Sequence, residues 1–98
     1  MAEVKWTQQA ADDLESITKF IAQDSVHYAR LFAVDVVEAV EKLDFFPKSG
    51  RIVPEKNIPS IREIIFGNYR IIYRLKNEAV EILTIYHGSR LLDPSKLK

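Results

Sequence analysis

The sequence predicts an α+β domain in which an N-terminal strand and a two-helix antiparallel hairpin pack on one face of an antiparallel sheet of about four strands. Two observations predict this architecture. Two segments early in the chain repeat apolar residues at helical spacing, and three later segments alternate apolar and polar residues with a period of two. Ninety-eight residues suffice for one domain with a modest core, so residues 1–98 are expected to form a single domain.

The first half of the chain predicts a strand followed by two helices. The segment EVKW alternates and is typical of a short strand. Thr7 is a suitable N-cap for a helix that runs to about Asp24, and Ser25 can cap a second helix that ends near DFFPKSG. The short junction QDS predicts that the helices lie antiparallel. Their apolar stripes are Ala11, Leu14, Ile17 and Ile21 in the first helix and Ala29, Phe32, Ala33, Val36, Val40 and Leu43 in the second.

The second half predicts three strands after a loop. Residues 47–60 hold three of the four prolines and are expected to be irregular. The strands IREIIF, YRIIYRL and AVEILTIYH follow. Gly67-Asn68 suits a two-residue type II′ turn, and Asn77-Glu78 can form a second two-residue loop.

With two-residue loops at both turns, the two faces of the sheet differ. In this register Arg74 lies opposite Glu81, Arg70 lies opposite Ile85, and His87 is diagonal to Arg70. A three-residue loop at 76–78 would instead turn His87 to the other face. The face expected under the helices collects Ile64, Phe66, Tyr69, Ile71, Tyr73, Leu75, Val80 and Ile82. The face expected to be partly open collects Glu63, Arg70, Ile72, Arg74, Glu81, Leu83, Ile85 and His87.

Two residues of the open face are candidates for a site, Arg70 and His87. Arginine is also common on open sheet faces, where its stem covers apolar neighbours, so a structural role for Arg70 stays open. A histidine at a strand end is often plain surface. An exposed Arg70 predicts that Arg70→Ala costs within about 0.5 kcal/mol of stability.

Composition excludes several classes of protein. The chain has no cysteine, which excludes disulfide frameworks and thiolate metal sites. No apolar run approaches the roughly 18 residues of a membrane span, and the N-terminus lacks a signal-peptide pattern. No Gly-rich phosphate loop, metal-ligand cluster or Ser-His-Asp spacing is present. We therefore expect a cytoplasmic protein with no cofactor, no metal and no membrane partner.

Charge is unevenly distributed although the formal net charge is zero. Residues 1–47 carry four Lys/Arg against nine Asp/Glu, whereas residues 48–76 carry seven against two. The basic block at 48–76 could face an acidic partner, either a nucleic acid or an acidic protein. An uneven scatter of charge without functional meaning is the alternative.

Five segments in order resemble the RelE/ParE superfamily of type II toxin–antitoxin toxins: the Trp-containing first strand, AADDLESITKFIAQDS, LDFFPKSGR, IREIIFGNYRIIYRL and ILTIYHGSR. The resemblance covers essentially the whole chain and implies the fold predicted above. It also implies a cognate antitoxin partner, whose C-terminal segment wraps the toxin, and a toxin–antitoxin hetero-oligomer. RelE-like members cut mRNA on the ribosome, whereas ParE-like members poison DNA gyrase.

RNA cleavage requires a base, a cation and an acid, and arginine cannot serve as the base. The resemblance implies that Arg70 and Arg90 match catalytic arginines of RelE-like toxins and that His87 lies close to a catalytic histidine of another branch. The positions that hold lysines in RelE-like toxins are here Ile61 and Glu63, and the tail tyrosine position falls near Lys96. Only the arginines match.

These departures favour a ParE-like gyrase poison over a ribosome-dependent endoribonuclease. Zero net charge also argues against a ribosome binder, since RNA affinity usually comes from many Lys/Arg contacts with phosphates. A nontoxic module that keeps the fold and still pairs with an antitoxin is the third possibility. The residues expected to bind antitoxin or target are Arg51, Arg62, Arg70 and Arg90, and those expected to be catalytic, if the protein is a nuclease, are Arg70, His87 and Arg90.

Overall fold

A computed structural model describes residues 2–88 of the chain. None of the helices in this range is long and apolar enough to cross a lipid bilayer. The elements in chain order are β1 (Glu3–Trp6), α1 (Gln8–Ala22), α2 (Val26–Glu41), a 3-10 turn (Lys42–Asp44), β2 (Arg51–Ile52), β3 (Ile61–Phe66), β4 (Tyr69–Lys76) and β5 (Ala79–His87).

The strands form one sheet in the order β1-β5-β4-β3-β2. All neighbours are antiparallel except β1, which pairs parallel with the first half of β5. The helical hairpin covers one face of this sheet, so the predicted α+β architecture is confirmed. The sheet has five strands rather than the predicted number of about four. The additional strand is β2, two residues of the proline-containing loop that pair with β3.

Both predicted helix caps are confirmed. The Thr7 hydroxyl accepts a hydrogen bond from the Ala10 amide at 3.2 Å, and the Ser25 hydroxyl accepts one from the Tyr28 amide at 3.1 Å. These bonds satisfy amides that have no partner within the first turn of a helix. The Thr7 hydroxyl also donates to the Ile82 carbonyl at 2.6 Å, which fixes the start of α1 against β5.

The main core lies between the helical hairpin and the sheet. The residues predicted for the helix-covered face are all buried in this core or packed against it. In α1 the buried alanine is Ala10, whereas Ala11, assigned to the apolar stripe from the sequence, is exposed. The fully buried members of the core are Ala10, Val36, Val40, Leu43, Ile71, Tyr73, Val80 and Ile82.

Both predicted two-residue loops are confirmed by the strand pairing on either side of them. Phe66 pairs with Tyr69 across the first loop, and Lys76 pairs with Ala79 across the second. Gly67 and Asn77 open these loops with positive φ angles of 57° and 56°, a conformation that glycine and asparagine adopt more readily than other residues. The predicted Arg74–Glu81 pair also forms, with Nε and Oε1 3.1 Å apart.

The predicted register fails in the middle of β5, where the strand contains a bulge. Ile72 pairs with Thr84 while the next residue, Tyr73, pairs with Ile82. Leu83 therefore has no partner on β4. One extra residue in one strand reverses the alternation of side chains beyond it.

The bulge places the end of β5 differently from the sequence-based expectation. Ile85 lies opposite Ile71, and His87 lies opposite Tyr69. Ile85 belongs to the main core, and the His87 ring contacts the Tyr69 ring with their centroids 5.2 Å apart. The prediction that Ile85 and His87 share a face with Arg70 is therefore wrong.

The face away from the helices is also less open than predicted. It carries a second buried cluster, and Tyr86 packs against that cluster. Val53, from the loop that follows β2, is fully buried there, so this loop covers part of the sheet. The buried members of the second cluster are Val53, Ile61, Ile72 and Leu83.

Candidate functional site

Arg70 lies near the start of β4 and points away from the helices, as predicted, but it is not exposed. Its relative exposure is only 8%. Its Nε donates to Oε1 of Glu63 at 2.6 Å, and its two terminal nitrogens donate to the two carboxylate oxygens of Glu55 at 2.6 and 2.8 Å. The prediction of a solvent-exposed Arg70 is therefore wrong. Its planar guanidinium is held by one carboxylate at the side and a second in the two-pronged geometry typical of strong Arg–carboxylate pairs.

A fully buried carboxylate, that of Glu63 on β3, lies between two arginines. Besides Arg70, Nε of Arg51 donates to Oε2 of Glu63 at 2.5 Å. The Glu63 side chain has no exposed surface, whereas that of Arg51 is 60% exposed. An isolated buried carboxylate would be strongly unfavourable, so the hydrogen bonds from these two arginines compensate for the burial of Glu63.

Glu55 completes the cluster from the loop between β2 and β3. The hydrogen bonds from Arg70 lower the pKa of the Glu55 carboxyl from 4.5 to about 2, against the opposing effect of burial. The pKa of the Arg70 guanidinium is raised, chiefly by its hydrogen bonds with Glu55. At neutral pH Glu55 is therefore ionised and forms a two-pronged ion pair with Arg70, beside the buried Glu63 that both arginines contact.

Tyr73 anchors the loop that precedes β2. Its fully buried hydroxyl donates to the Pro47 carbonyl at 2.8 Å and accepts from the Gly50 amide at 2.9 Å. Burial raises the pKa of this phenol. A Cβ atom at Gly50 would lie 2.6 Å from the Tyr73 oxygen and 2.5 Å from the Glu63 carbonyl oxygen, so only glycine fits this close approach.

Arg62, predicted to bind antitoxin or target, is engaged with backbone carbonyls on either side of β2. Its Nε donates to the Pro59 carbonyl at 3.0 Å, and one terminal nitrogen donates to the Gly50 carbonyl at 3.0 Å. These bonds connect the segment before β2 with the loop between β2 and β3. Arg90, the remaining predicted site residue, lies outside the described residues.

A cleft of about 430 Å³ at the end of the sheet brings together three of the predicted site residues, Arg51, Arg70 and His87. Glu55 lines the same cleft. Because His87 and Arg70 extend from opposite faces of the sheet, the two side chains meet only at its rim. The cleft therefore combines the Arg70 guanidinium, which is bonded to two glutamates, with the largely exposed side chain of Arg51 and the His87 imidazole, which packs on Tyr69.

A second cavity, of about 540 Å³, lies between α1 and the end of β5, with the largely exposed Phe20 at its edge. Asp13 of α1 accepts hydrogen bonds there from the Ile85 amide, at 3.1 Å, and from the Thr84 hydroxyl. β1 pairs with β5 only as far as Ile82, and beyond that point the Asp13 carboxylate accepts the hydrogen bond of the Ile85 amide in place of a neighbouring strand. Its hydrogen bonds indicate a structural role.

Glu55 could not be identified from the sequence as a partner of Arg70, because Glu55 belongs to an irregular loop. Glu63 could have been paired with Arg70, since the period of two places both on one face. Within residues 2–88 no group of three His, Asp or Glu side chains could hold a metal ion. Chemically, the arrangement of Arg51 and Arg70 can bind oxyanions, but arginine cannot remove a proton from a nucleophile.

Comparison with known proteins agrees with this fold. Residues 4–92 match the family described as the ParE toxin of the type II toxin–antitoxin system, parDE. The chain is 33% identical over 92 residues to Toxin RelE2 of Caulobacter vibrioides, an alignment that covers 93% of this chain and all of the relative.

Two solved structures are similar as well. The chromosomal ParDE system of P. aeruginosa superposes with a TM-score of 0.74 at 27% identity and covers 89% of this chain and 96% of that one. The toxin–antitoxin complex RelBE2 of Mycobacterium tuberculosis, at 23% identity, shares the fold with a TM-score of 0.63, covering 88% of this chain and 96% of that one. The family match spans most of the sequence, and the helical hairpin on a five-stranded sheet is the architecture of these neighbours. The chain therefore belongs to the ParE toxin family, within the RelE/ParE superfamily of type II toxin–antitoxin toxins.

Proposed function

We propose that this protein is a growth-inhibiting toxin of the bacterial or archaeal cytoplasm that acts by poisoning DNA gyrase and is neutralised by a cognate antitoxin. The observation that carries the choice of gyrase is the state of Arg70. Its guanidinium is bonded to Glu55 and Glu63 rather than open to a phosphate. Inhibition of gyrase by binding alone requires no general base beside the Arg70 guanidinium.

The environment of Arg70 is poorly suited to cleaving RNA. An endoribonuclease must stabilise a phosphate that gains negative charge during the reaction, which favours cations at the site. Here a fully buried carboxylate, that of Glu63, lies against Arg70. His87, the candidate base, extends from the opposite face of the sheet and packs on Tyr69. These features support gyrase as the target over the ribosome.

An antitoxin partner is supported by the similarity to chains from ParDE and RelBE2 systems. The excess of Lys/Arg in the basic block at 48–76 would attract an acidic segment that folds on binding. Arg51 is more accessible than Arg70, the other arginine of the cleft, because 60% of its side chain is exposed. Arg51→Gln removes this charge without placing a second carboxylate against Glu63, and it is expected to slow association and to weaken the salt dependence of association. Lys19→Gln on the exposed surface of α1 should have little effect.

The proposal is tested by comparing the two activities with one protein preparation. Purified toxin is added to a gyrase supercoiling reaction and, separately, to ribosomes translating a defined mRNA. We expect inhibited supercoiling and intact mRNA, and we expect inhibition to disappear when the antitoxin encoded beside the toxin gene is added. In cells, induction should cause DNA damage before any loss of bulk mRNA.

Two histidine variants provide a matched control. His87→Ala changes the candidate base, and His27→Ala changes an exposed histidine on α2. Under the proposal both variants inhibit gyrase. Cleavage of mRNA in frame with codons, lost in His87→Ala and kept in His27→Ala, would instead establish the endoribonuclease. Unaffected growth on strong induction of soluble protein would favour the nontoxic module over both toxic activities.

A further inference from the structure

We propose that the two terminal nitrogens of Arg70 form a binding site for a carboxylate of a partner protein, and that Glu55 occupies this site as an internal stand-in until the partner arrives. The inference does not depend on the choice of gyrase as the target. The two contacts from Arg70 to Glu55, at 2.6 and 2.8 Å, show that the fork accepts a planar carboxylate edge-on.

The two glutamates that hold Arg70 differ in how freely they can leave it. Glu63 belongs to β3, has no exposed side-chain surface and is also bonded to Arg51. Glu55 belongs to an irregular loop, and 36% of its side chain is exposed. Glu55 can therefore move into solvent at little cost in burial, while Glu63 remains in place and keeps the guanidinium oriented.

The backbone around Glu55 is held, so displacement needs only a rotation of its side chain. The amides of Lys56 and Asn57 both donate to the Val53 carbonyl, at 3.2 and 2.8 Å, and close a tight turn around Glu55. Val53 is itself anchored in the second buried cluster. A swing of the Glu55 side chain therefore opens the cleft without unfolding the loop.

Charge and geometry favour a carboxylate as the replacing group. With Glu55 removed, Arg51, Arg70 and Glu63 leave a net charge of +1, which a single carboxylate neutralises. Within residues 2–88 the cleft holds no lysine and only these two arginines, and each of them already donates its Nε–H to Glu63. Phosphate backbones are usually held by several cations at once, so an Asp or Glu side chain of a protein fits this site better.

The site is tested by removing the internal competitor. In Glu55→Ala the Arg70 fork is vacant, whereas Glu78→Ala removes an exposed glutamate from the distant β4–β5 turn and serves as a control of equal charge. The Nε–H resonance of Arg70 is followed by NMR while a blocked Gly-Glu-Gly tripeptide is added, with Gly-Gln-Gly as the neutral counterpart. Inorganic phosphate is titrated in parallel.

We expect a saturable shift of the Arg70 resonance with Gly-Glu-Gly that is at least about tenfold tighter in Glu55→Ala than in the wild type or Glu78→Ala, because a site that is open only a tenth of the time loses that factor in apparent affinity. Gly-Gln-Gly should give no saturable shift. Backbone amide spectra show whether each variant is folded, and Glu55→Gln, which keeps the side-chain volume, provides a second measurement.

Three results would overturn the proposal. Equal affinities in Glu55→Ala and the wild type would show that Glu55 does not compete for the fork. Tighter binding of phosphate than of Gly-Glu-Gly would assign the site to a phosphate ligand. Loss of the native amide spectrum in both Glu55 variants would show that Glu55 is a fixed part of the fold.

Discussion

Removing Arg70 should destabilise the protein strongly. Arg70→Ala removes the hydrogen bond from Nε of Arg70 to the fully buried Glu63 carboxylate. Glu63 is then left with Arg51 as its only charged partner among these residues. Breaking a buried ion pair by removing one partner costs about 3–5 kcal/mol, and the surviving bond from Arg51 places the expected loss near the lower figure, about 3 kcal/mol. For a domain of this size each kcal/mol lowers Tm by about 4–8 °C, so a fall of more than about 10 °C is expected.

Arg74 provides a matched control for this substitution. It lies on the same strand and the same face, and it pairs with Glu81, but both side chains are about one quarter exposed. Arg74→Ala is expected to cost about 1 kcal/mol or less. Urea and thermal unfolding of the two variants measure the difference directly.

A double variant separates the lost pair from lost packing. In Arg70→Ala with Glu63→Gln the buried charge is gone, so part of the stability should return relative to Arg70→Ala alone. An exposed Arg70 would predict an unchanged Tm for Arg70→Ala. If Arg70→Ala does unfold at the wild-type temperature, the buried network of Arg70 and Glu63 does not stabilise the fold.

Three further outcomes are expected. Tyr73→Phe leaves the Pro47 carbonyl and the Gly50 amide without their buried partner, and it should cost about 1–3 kcal/mol in urea unfolding, with unchanged stability as the contradicting result. Gly50→Ala forces a Cβ to within 2.5 Å of a backbone oxygen and should cost about 1–3 kcal/mol by the same measurement, so a variant as stable as the wild type would disprove the close approach. The pKa of Glu55 is lowered in the folded state, so its stabilising effect is complete above about pH 4.5 and disappears as the pH falls towards 2. The stability difference between wild type and Glu55→Gln should therefore shrink across that range, and a difference independent of pH would show that the Arg70–Glu55 pair does not form.

The parts of the fold that follow from local chemistry could be predicted from the sequence. Thr7 and Ser25 are side chains that cap helices, and Gly67 and Asn77 tolerate the positive φ that tight hairpins require. Because the register of the first hairpin follows from its turn, the residues of the helix-covered face on β3 and β4 were correctly assigned.

The bulge in β5 could not be predicted by the same means. The segment Ile82–Ile85 reads ILTI, in which apolar residues occur on both parities, so alternation does not define which residue faces the helices. The side of the sheet on which Ile85 and His87 lie is decided by tertiary packing of Ile85 into the main core and Leu83 into the second cluster.

The candidate site was predicted only in part, because burial of charge depends on contacts between distant segments. The period of two places Arg70 and Glu63 on one face, but nothing periodic connects them with Glu55, 15 residues before Arg70 in a loop. The same holds for Arg62, whose bonds with the carbonyls of Gly50 and Pro59 arise from the path of the irregular segments before and after β2.

The parallel pairing of β1 with β5 has a consequence for biosynthesis. Residues 3–6 leave the ribosome long before residues 79–82, which are the only neighbour of β1 in the described sheet. The helical hairpin can form early from local contacts, but its apolar side stays uncovered until the sheet is complete. A nascent chain therefore cannot present the cleft around Arg70 before β5 has been made, and its uncovered hairpin exposes it to aggregation throughout that interval.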